Sequence, residues 1–205
     1  MTELIRSQHK EGPLFTDRDG IMSRMVKYSY DWDSPQHPED VVLVDGIEEV
    51  ISWANTNGIP VIEISNQPGV AKGKMTQETS DAIEARVHEL LKEKGAYVNK
   101  TYICPHSTNA IVASLKVDCD CRKPKPGLLL TAASELVIDL SRSVFLGDKD
   151  TDVTAGQRAG TKTILYIRGE DEAEKLEALK DSKPDYKVDD MRDVLPILQE
   201  IFKSV

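Results

Sequence analysis

Cysteines, long apolar runs and clustered basic residues are all scarce in this sequence of 205 residues. The three cysteines are an odd number, which argues against a framework of disulfide bonds. No apolar run approaches the length that a membrane-spanning helix needs, and the first residues are polar, without the apolar stretch of a secretory signal. We therefore expect a cytoplasmic protein with no membrane partner.

The chain is acidic, with 26 lysines and arginines against 35 aspartates and glutamates. The longest basic concentration, Arg122-Lys123-Pro124-Lys125, is too short to follow a nucleic-acid backbone, so we do not expect a nucleic-acid partner. Hydrophobic residues make up 40% and charged residues 30% of the chain, a composition typical of globular proteins. The length suits one domain, and we predict a single domain over residues 1–205.

Short apolar runs alternate along the chain with amphipathic stretches, which indicates an α/β fold with a parallel sheet. The predicted strands are Pro13–Thr16, Val61–Ile64, Val144–Leu146, Thr163–Ile167 and Tyr186–Val188. The predicted helices are Gly46–Asn57, Gln77–Lys94, Gly127–Ile138, one that ends at Ala159 and one that begins at about Met191. We expect a three-layer sandwich around a central parallel sheet. Residues 21–40 show no periodicity and predict a loop or a minimal cap.

Acidic residues follow two of the predicted strands at the points where those strands end. Asp17 and Asp19 come after the first strand, with Gly20 next, and Asp148 comes shortly after the strand that ends at Leu146. This edge of a parallel sheet binds ligands, and carboxylates there can hold a hard cation, attack phosphorus and transfer a proton. The residues predict a magnesium site. Because the Asp-x-Asp spacing recurs elsewhere in the chain, a loop of solvated acids is the alternative.

Two further segments are suited to a phosphoryl group. Ser65-Asn66-Gln67 stands at the end of a predicted strand, where a hydroxyl and backbone amides can donate to phosphate oxygens, although such a segment is also a common polar turn. Arg122-Lys123 can supply positive charge to the transferred group, because catalysis of phosphoryl transfer depends mainly on positioning and electrostatics.

Every cysteine of the chain lies in one short segment together with one of the four histidines. Three thiolates and an imidazole are the donor set of a closed tetrahedral zinc site, which is structural rather than catalytic. A redox pair or unrelated buried thiols are the alternatives. We predict a zinc-stabilised loop over residues 104–121 with the ligands Cys104, His106, Cys119 and Cys121.

Five motifs stand in a fixed order along the chain. They are Asp17-Arg18-Asp19-Gly20, Ser65-Asn66-Gln67-Pro68-Gly69, Cys104-Pro105-His106, the run from Cys119 to Gly127, and Gly147-Asp148-Lys149. Together they resemble the haloacid dehalogenase (HAD) superfamily, and within it the zinc-containing branch of D-glycero-D-manno-heptose 1,7-bisphosphate phosphatases and histidinol-phosphate phosphatases. The resemblance covers about residues 14–169 and implies a HAD-like, Rossmannoid fold and a magnesium-dependent phosphatase.

The resemblance implies a catalytic role for the first motif. Asp17 would be the nucleophile that forms an aspartyl-phosphate, and Asp19 would be the general acid and then the general base. Magnesium would be bound by Asp17, by Asp148 and by the backbone carbonyl of Asp19.

The resemblance also implies which residues contact the phosphoryl group. Ser65 and Asn66 would hold its oxygens and Lys123 would neutralise them. Lys125 is a rival for the role of Lys123, but in the family the lysine next to the arginine takes it. Asp152 would orient these cations.

The rest of the substrate would meet Arg122 and Lys149. The sequence departs from the heptose enzymes at residues 21–30, where Arg24 and Lys27 replace the expected pattern and are candidates for binding another anionic sugar. The catalytic residues therefore transfer from the family more directly than the substrate does.

We predict that a small phosphorylated metabolite is the partner, and that a monomer removes the 7-phosphate of D-glycero-D-manno-heptose 1,7-bisphosphate. Histidinol phosphate has a cationic far end that Arg122 and Lys149 would repel. The alternatives are a histidinol-phosphate phosphatase, a phosphatase of polynucleotide ends, and a catalytically silent, zinc-stabilised binding protein. A silent relative should have lost Asp17, Asp19 or Asp148, and all three are present.

Overall fold

The structure, a computed structural model, describes residues 12–29, 31–167 and 183–203. Its strands are β1 Leu14–Thr16, β2 Val26–Lys27, β3 Trp32–Asp33, β4 Val61–Asn66, β5 Lys100–Cys104, β6 Val144–Gly147, β7 Lys162–Tyr166 and β8 Tyr186–Val188. Its α-helices are α1 Ile47–Thr56, α2 Gln77–Glu93, α3 Gly127–Leu136, α4 Asp150–Ala159 and α5 Val194–Lys203.

Six of these strands form one parallel sheet in the order β5-β4-β1-β6-β7-β8. β1 is central, because Leu14 pairs with Val61 of β4 on one side and with Val144 of β6 on the other. The strand order reverses at β1, since β4 and β5 are added on one side and β6 to β8 on the other. Such a switch point opens a crevice at the carboxyl ends of the strands, where open α/β sheets bind ligands.

Helices cover both faces of the sheet and bury alternate residues of each strand. Leu14 and Val61 belong to a core that includes residues of α1, α2 and α5. Phe15 and Ile62 belong to a second core, which includes residues of α3 and Ala155 of α4. This alternation follows from the two-residue repeat of a β-strand. The predicted fold class, a three-layer α/β sandwich around a parallel sheet, is confirmed.

The limits of the helices follow from local chemistry. α2 begins after Thr76, whose side chain accepts a hydrogen bond from a backbone N–H three residues further on, at 3.2 Å. This helix buries Ile83, Val87 and Leu91, which recur at the four-residue spacing of one helix face. α4 is followed by Gly160, whose φ of 87° lies in the left-handed region that glycine adopts without strain.

The segment between Gly20 and Asp40 forms a small insertion where the structure describes it. Its strands β2 and β3 make an antiparallel hairpin, with Val26 opposite Asp33, and a short 3-10 turn follows at Pro38–Asp40. This agrees with the prediction of a minimal cap. Among the described residues, no helix is long and apolar enough to cross a membrane. The single domain over residues 1–205 stays a prediction.

One strand extends beyond its predicted limit. β4 continues through Asn66 because Ser65 and Asn66 still pair with Ile103 and Cys104 of β5. Ser65 and Asn66 are therefore the last residues of a strand instead of the first residues of the following turn, which gives both of them a fixed backbone.

Candidate active site

Three strands of the sheet bring acidic and polar side chains to one edge. Asp17 directly follows β1, Asp148 directly follows β6, and Ser65 lies at the end of β4. The backbone N–H of Asp17 donates to the carbonyl of Leu146 at 3.0 Å, which fixes the end of β1 against β6. Asp17, Asp148 and Ser65 are all buried, in an environment of low dielectric constant. Their electrostatic interactions are therefore stronger than they would be in water.

Lys123 places an ammonium group between two buried carboxylates. Its Nζ lies 2.9 Å from Oδ1 of Asp17 and 2.8 Å from Oδ1 of Asp152, and it donates to the carbonyl of Ile64 at 2.7 Å. These contacts use all three donors of the ammonium. Lys125, the predicted rival, is partly exposed and pairs with acids of the cysteine segment instead. The structure therefore brings Lys123 to Asp17.

The two oxygens of Asp17 have different surroundings. Within the described residues, its hydrogen bonds all end on Oδ1, from Lys123 and from the backbone N–H of Arg18 at 2.8 Å. Among the described residues, Oδ2 is thus the oxygen of Asp17 that these hydrogen bonds leave unused. Burial raises the pKa of Asp17, Lys123 lowers it and Asp152 raises it further, with a net upward shift. Burial lowers the pKa of Lys123, but Asp152 and Asp17 outweigh burial and raise it.

Asp152 organises the turn after β6. Its Oδ2 accepts hydrogen bonds from the backbone N–H groups of Asp148 and Lys149, at 3.2 and 3.1 Å. A Cβ on Gly147 would lie 2.2 Å from the Cβ of Asp152, so glycine permits this close approach. Asp152 therefore fixes the turn that carries Asp148 while its Oδ1 holds Lys123.

The acids at this edge fit a hard divalent cation. Asp17, Asp148 and Asp152 each offer a carboxylate oxygen, and these oxygens lie within 4.8 Å of one another. The ammonium of Lys149 lies 3.5 Å from the backbone carbonyl of Asp19 and 3.4 Å from Oδ1 of Asp148, two members of the predicted magnesium set. Those oxygens thus already converge on a cation, and oxygen donors are the ligands that magnesium prefers.

Gly20 allows Asp148 to approach the turn after β1. Its φ is 95°, and a Cβ there would lie 2.3 Å from Oδ2 of Asp148. We expect Gly20→Ala to displace Asp148 and remove most magnesium-dependent turnover, while backbone strain lowers the unfolding free energy by about 1–2 kcal/mol. Assays across a magnesium titration and chemical unfolding measure the two effects.

Gly95→Ala is the matched control for backbone strain. Gly95 also has a positive φ, 76°, but among the described residues no atom lies within 4 Å of a Cβ built there. This variant should lose a similar amount of stability and keep full turnover. If Gly20→Ala were as active as Gly95→Ala, Asp148 would not belong to the metal site.

Asp19 lies outside the group of three acids and is held by its own partners. Arg18 donates to both carboxylate oxygens at 3.0 and 3.1 Å, Ser23 donates to Oδ1 at 3.0 Å, and Gln67 donates to Oδ2 at 2.8 Å. Burial raises the pKa of Asp19, but the Arg18 guanidinium and these hydrogen bonds outweigh burial and hold the pKa well below its usual range. The ionised form is the one that a general base needs.

The end of β4 joins the two predicted phosphate-binding segments. The side-chain amide of Asn66 donates to the carbonyl of Lys123 at 3.1 Å and accepts from its backbone N–H at 3.0 Å. Gln67 uses Nε2 to bond both Ser65 Oγ and Asp19, each at 2.8 Å. The side chain of Asn66 therefore positions the backbone of Lys123, its contact with phosphate stays a prediction, and Ser65 is joined to Asp19 through Gln67.

The three cysteines and His106 come together. Sγ of Cys121 lies 3.1 Å from Sγ of both Cys104 and Cys119 and 3.3 Å from Nδ1 of His106. Zinc–sulfur bonds of about 2.3 Å place tetrahedral ligand atoms about 3.8 Å apart, close to these separations. All three cysteines are free thiols, the form from which zinc ligands arise. Arg122 donates to the carbonyl of His106 at 3.0 Å and thus packs on this cluster.

The two basic residues of the insertion, Arg24 and Lys27, contact partners other than Asp17, Asp19 and Asp148. Arg24 forms an ion pair with Asp45 at 2.6 Å, and Nζ of Lys27 lies 5.6 Å from the centroid of the Trp32 ring. The structure therefore gives both side chains partners outside the carboxylate edge.

The residues that hold Asp19 were missed at the level of sequence. Arg18, Ser23 and Gln67 are buried polar residues next to predicted site residues. Arg18 and Gln67 belong to the motifs and Ser23 stands close to one, but their hydrogen bonds to Asp19 could not be predicted because the choice of partners depends on the fold.

Known proteins share this arrangement of sequence and fold. A HAD-hydrolase-like family model matches residues 120–194. A Mesorhizobium japonicum protein named D-glycero-beta-D-manno-heptose-1,7-bisphosphate 7-phosphatase is 37% identical over 157 residues, which are 77% of this chain and 70% of the relative. The chain belongs to the heptose-1,7-bisphosphate 7-phosphatase family of HAD-like hydrolases.

Two further proteins with heptose bisphosphate phosphatase names are similar to this chain, one in sequence and one in structure. A Vibrio cholerae protein of that name is 33% identical, with 81% of this chain and 87% of the relative covered. The structure of D,D-heptose 1,7-bisphosphate phosphatase from B. bronchiseptica, complexed with magnesium and phosphate, matches with a TM-score of 0.75 at 26% identity, covering 92% of this chain and 99% of that one. The predicted family, HAD-like fold and phosphatase class are confirmed.

Proposed function

We propose that this protein is a magnesium-dependent phosphomonoesterase that removes the 7-phosphate from D-glycero-D-manno-heptose 1,7-bisphosphate. The observation that carries the proposal is the convergence of Asp17, Lys123, Asp148 and Asp152 at the ends of β1 and β6. The names of the Mesorhizobium and Vibrio relatives support the substrate. The monomeric state and the cytoplasmic location stay predictions.

The first step is attack by Oδ2 of Asp17 on phosphorus. A bond forms between Oδ2 and phosphorus to give an aspartyl-phosphate, and the bond from phosphorus to the sugar oxygen breaks. The negative charge of the bound phosphate raises the pKa of Asp19 from its low value in the free protein, so that Asp19 can take up a proton and give it to the departing sugar oxygen. Lys123 fixes Oδ1 of Asp17 and offsets the negative charge on the transferred group, and Ser65 offers its hydroxyl to the phosphoryl oxygens.

The second step is attack by water on the aspartyl-phosphate. The ionised Asp19 accepts the proton of this water, the bond from phosphorus to Asp17 breaks, and phosphate leaves. Asp19 regains the proton that it gave in the first step, so the cycle is balanced. The hydrogen bonds from Arg18, Ser23 and Gln67 support the second step, because they favour the ionised form of Asp19.

A bound magnesium ion supplies positive charge that stabilises the transition state of phosphoryl transfer. Asp17, Asp148 and the backbone carbonyl of Asp19 would hold this ion, with Asp152 beside them. The relative from B. bronchiseptica, whose structure contains magnesium and phosphate, supports this choice of metal.

A small pocket beside Gln67 suits one end of the sugar. Its volume is about 50 Å³, and its lining includes Ser34 and Gln36 from the insertion, Lys72 from the segment after β4, and the ion pair between Lys74 and Asp33. A few polar groups in a concave site fix the orientation of a ligand. Because Asp33 pairs with Lys74, Lys72 is the basic residue of this lining that favours a substrate with a second phosphate over one with a cationic end.

The alternatives are each disfavoured by one observation. Histidinol phosphate would bring a positive charge toward Lys149 and the lysines of the pocket. A polynucleotide would meet a chain with a formal net charge of −9. A silent binding protein has no need of Asp17, Asp19 and Asp148, which are all present and buried.

The substrate comparison tests the proposal directly. We expect kcat/KM to be highest for heptose bisphosphate, lower for histidinol phosphate and lowest for a short DNA with a terminal phosphate, each with saturating magnesium and with a chelator control. A preference for either of the latter two would overturn the sugar assignment. No magnesium-dependent phosphate release from any of the three would overturn the phosphatase assignment.

We also propose that Cys104, His106, Cys119 and Cys121 bind one zinc ion with a structural role. A closed set of four protein ligands supports that role. The loop connects to the active site because Arg122 bonds the carbonyl of His106 and Lys123 follows in the chain.

Zinc removal should therefore reduce activity without any direct chemistry at zinc. Protein purified without added metal should contain one zinc per chain, and its removal should loosen residues 104–121 and lower turnover at saturating magnesium. Metal analysis, hydrogen exchange and assays measure these changes, and re-addition of zinc is the control. A zinc-free protein with unchanged stability and activity would contradict the proposal.

A further inference from the structure

A second group of charged residues lies behind the active site, between β4 and α2. It consists of Arg18, Glu63, Glu84 and His88, and we name it the α2 ion cluster. Arg18 follows the proposed nucleophile in the chain, whereas Glu84 and His88 stand one turn apart on α2. None of the steps described above uses Glu63, Glu84 or His88.

Arg18 connects the cluster to Asp19. Its Nε and Nη2 donate to the two oxygens of Asp19 at 3.0 and 3.1 Å, and its Nη1 donates to Oε2 of Glu84 at 2.9 Å. The planar guanidinium thus bridges two carboxylates with fixed geometry. Only 2% of Arg18 is exposed, so water does not compete effectively for these donors.

Glu84 is itself held on its other oxygen. Nε2 of His88 lies 3.2 Å from Oε1 of Glu84 and 3.4 Å from Oε2 of Glu63. Glu63 is fully buried, and it takes an inward position on β4, between Ile62 and Ile64, which face the opposite core. The chain of contacts therefore runs from β4 through α2 to Arg18 and ends on Asp19.

The cluster is balanced in charge without a metal. Burial raises the pKa of Glu63 to about 8, and hydrogen bonds to Glu63 and Glu84 raise the pKa of His88 to about 9. Near neutral pH, Arg18 and His88 therefore face Asp19 and Glu84 as two positive and two negative groups. Glu63, Glu84 and His88 offer ligand atoms within 4.8 Å of one another, but this balance leaves no negative charge to attract a cation.

We propose that Glu84 is a positioning residue for the phosphatase reaction, which holds Arg18 so that Arg18 fixes the carboxylate of Asp19. This inference rests on the proposed function, in which Asp19 gives a proton to the sugar oxygen and later accepts a proton from water. Proton transfer requires the carboxylate within hydrogen-bond distance of the reacting atom, so a displaced Asp19 slows chemistry without weakening phosphate binding.

Glu84→Gln is the variant that tests the proposal, because it keeps the shape of the side chain and removes its charge. Proton transfer by a positioned group contributes about 100-fold to 10,000-fold to the rate of a reaction. Because Glu84→Gln should remove only part of this contribution, we expect kcat on heptose bisphosphate to fall by about 10-fold to 100-fold with KM nearly unchanged. Glu89→Gln is the matched control, since Glu89 is an exposed glutamate of the same helix that pairs with Arg86.

The leaving group separates positioning from a general loss of structure. Rapid-quench measurement of phosphoenzyme formation should show a large defect with heptose bisphosphate and a small one with p-nitrophenyl phosphate, whose leaving group needs little protonation. Equal defects with both substrates would overturn the proposal. If Glu84→Gln does not fold, His88→Gln should show the same selective defect with smaller size, because it leaves Glu84 on Arg18.

Two results distinguish this inference from the proposed function. A wild-type protein without turnover of either substrate would refute the function, whereas an active wild type and an unaffected Glu84→Gln would refute the positioning role alone. Metal analysis is run on both variants. A divalent cation lost from Glu84→Gln but kept by Glu89→Gln would identify a metal site and overturn the proposal.

Discussion

Asp17→Asn is expected to abolish phosphate release, with a fall in kcat on the order of 10,000-fold or more, because an amide does not replace the carboxylate nucleophile. The folded structure should survive the change. Burial penalises the negative charge of Asp17, so its replacement by a neutral amide of nearly the same shape should cost little stability. Lys123 keeps its ion pair with Asp152. Thermal unfolding and zinc content should therefore stay near wild-type values.

A second Asp-x-Asp pair in the chain provides the control for Asp17→Asn. Asp118 stands two residues before Asp120, as Asp17 stands before Asp19, but the Asp118 side chain is 78% exposed and pairs with Lys125. Asp118→Asn should keep full turnover. Mass spectrometry of quenched reactions should detect a phosphorylated chain for Asp118→Asn and none for Asp17→Asn. Near-normal phosphate release by Asp17→Asn would contradict the aspartyl-phosphate mechanism.

Local patterns in the sequence were sufficient to predict the layers of the fold and the position of the main acids. Asp17 and Asp148 follow short apolar strands, and a parallel sheet places the carboxyl ends of its strands at one edge whatever the details of packing. The cluster of three cysteines and one histidine could also be predicted from the sequence, because its four donor residues lie within residues 104–121 and few sets of side chains suit zinc as well.

Contacts between distant segments could not be predicted in the same way. Asn66 was expected to bind phosphate, and the hydrogen bonds of its amide to the backbone of Lys123, 57 residues further along the chain, were not foreseen. Arg18 reaches Glu84 across 66 residues. Such partners depend on the register of β4 against β5 and on the rotation of α2, and neither is encoded in a local pattern.

One signal in the sequence pointed to the α2 ion cluster. Glu63 interrupts the apolar run of β4, and a charged residue in a central parallel strand is buried on either face. A buried glutamate needs a partner, so a histidine or a basic residue on a packed helix was a foreseeable consequence. Only the structure shows that this partner is His88 on α2.

Lys123→Gln is expected to lower both stability and activity. Removing the ammonium leaves Asp17 and Asp152 buried without the cation that they share, and breaking a buried ion pair on one side costs about 3–5 kcal/mol. The phosphoryl group loses a positive charge as well, and loss of one such group lowers kcat by about 100-fold to 1,000-fold. Urea unfolding and steady-state assays measure the two effects separately.

Lys125→Gln is the matched control, because this lysine was the rival for the same role. Its side chain is 39% exposed, and it pairs with Asp118 and Asp120, whose side chains are 78% and 97% exposed. Water and salt screen exposed pairs of this kind, so stability and turnover should barely change. Magnesium should also stabilise Lys123→Gln more than wild type, since a cation bound by Asp17 and Asp148 restores part of the lost charge balance. If Lys125→Gln were inactive and Lys123→Gln active, the lysine of the phosphoryl site would be Lys125, and the buried contacts of Lys123 would serve the fold alone.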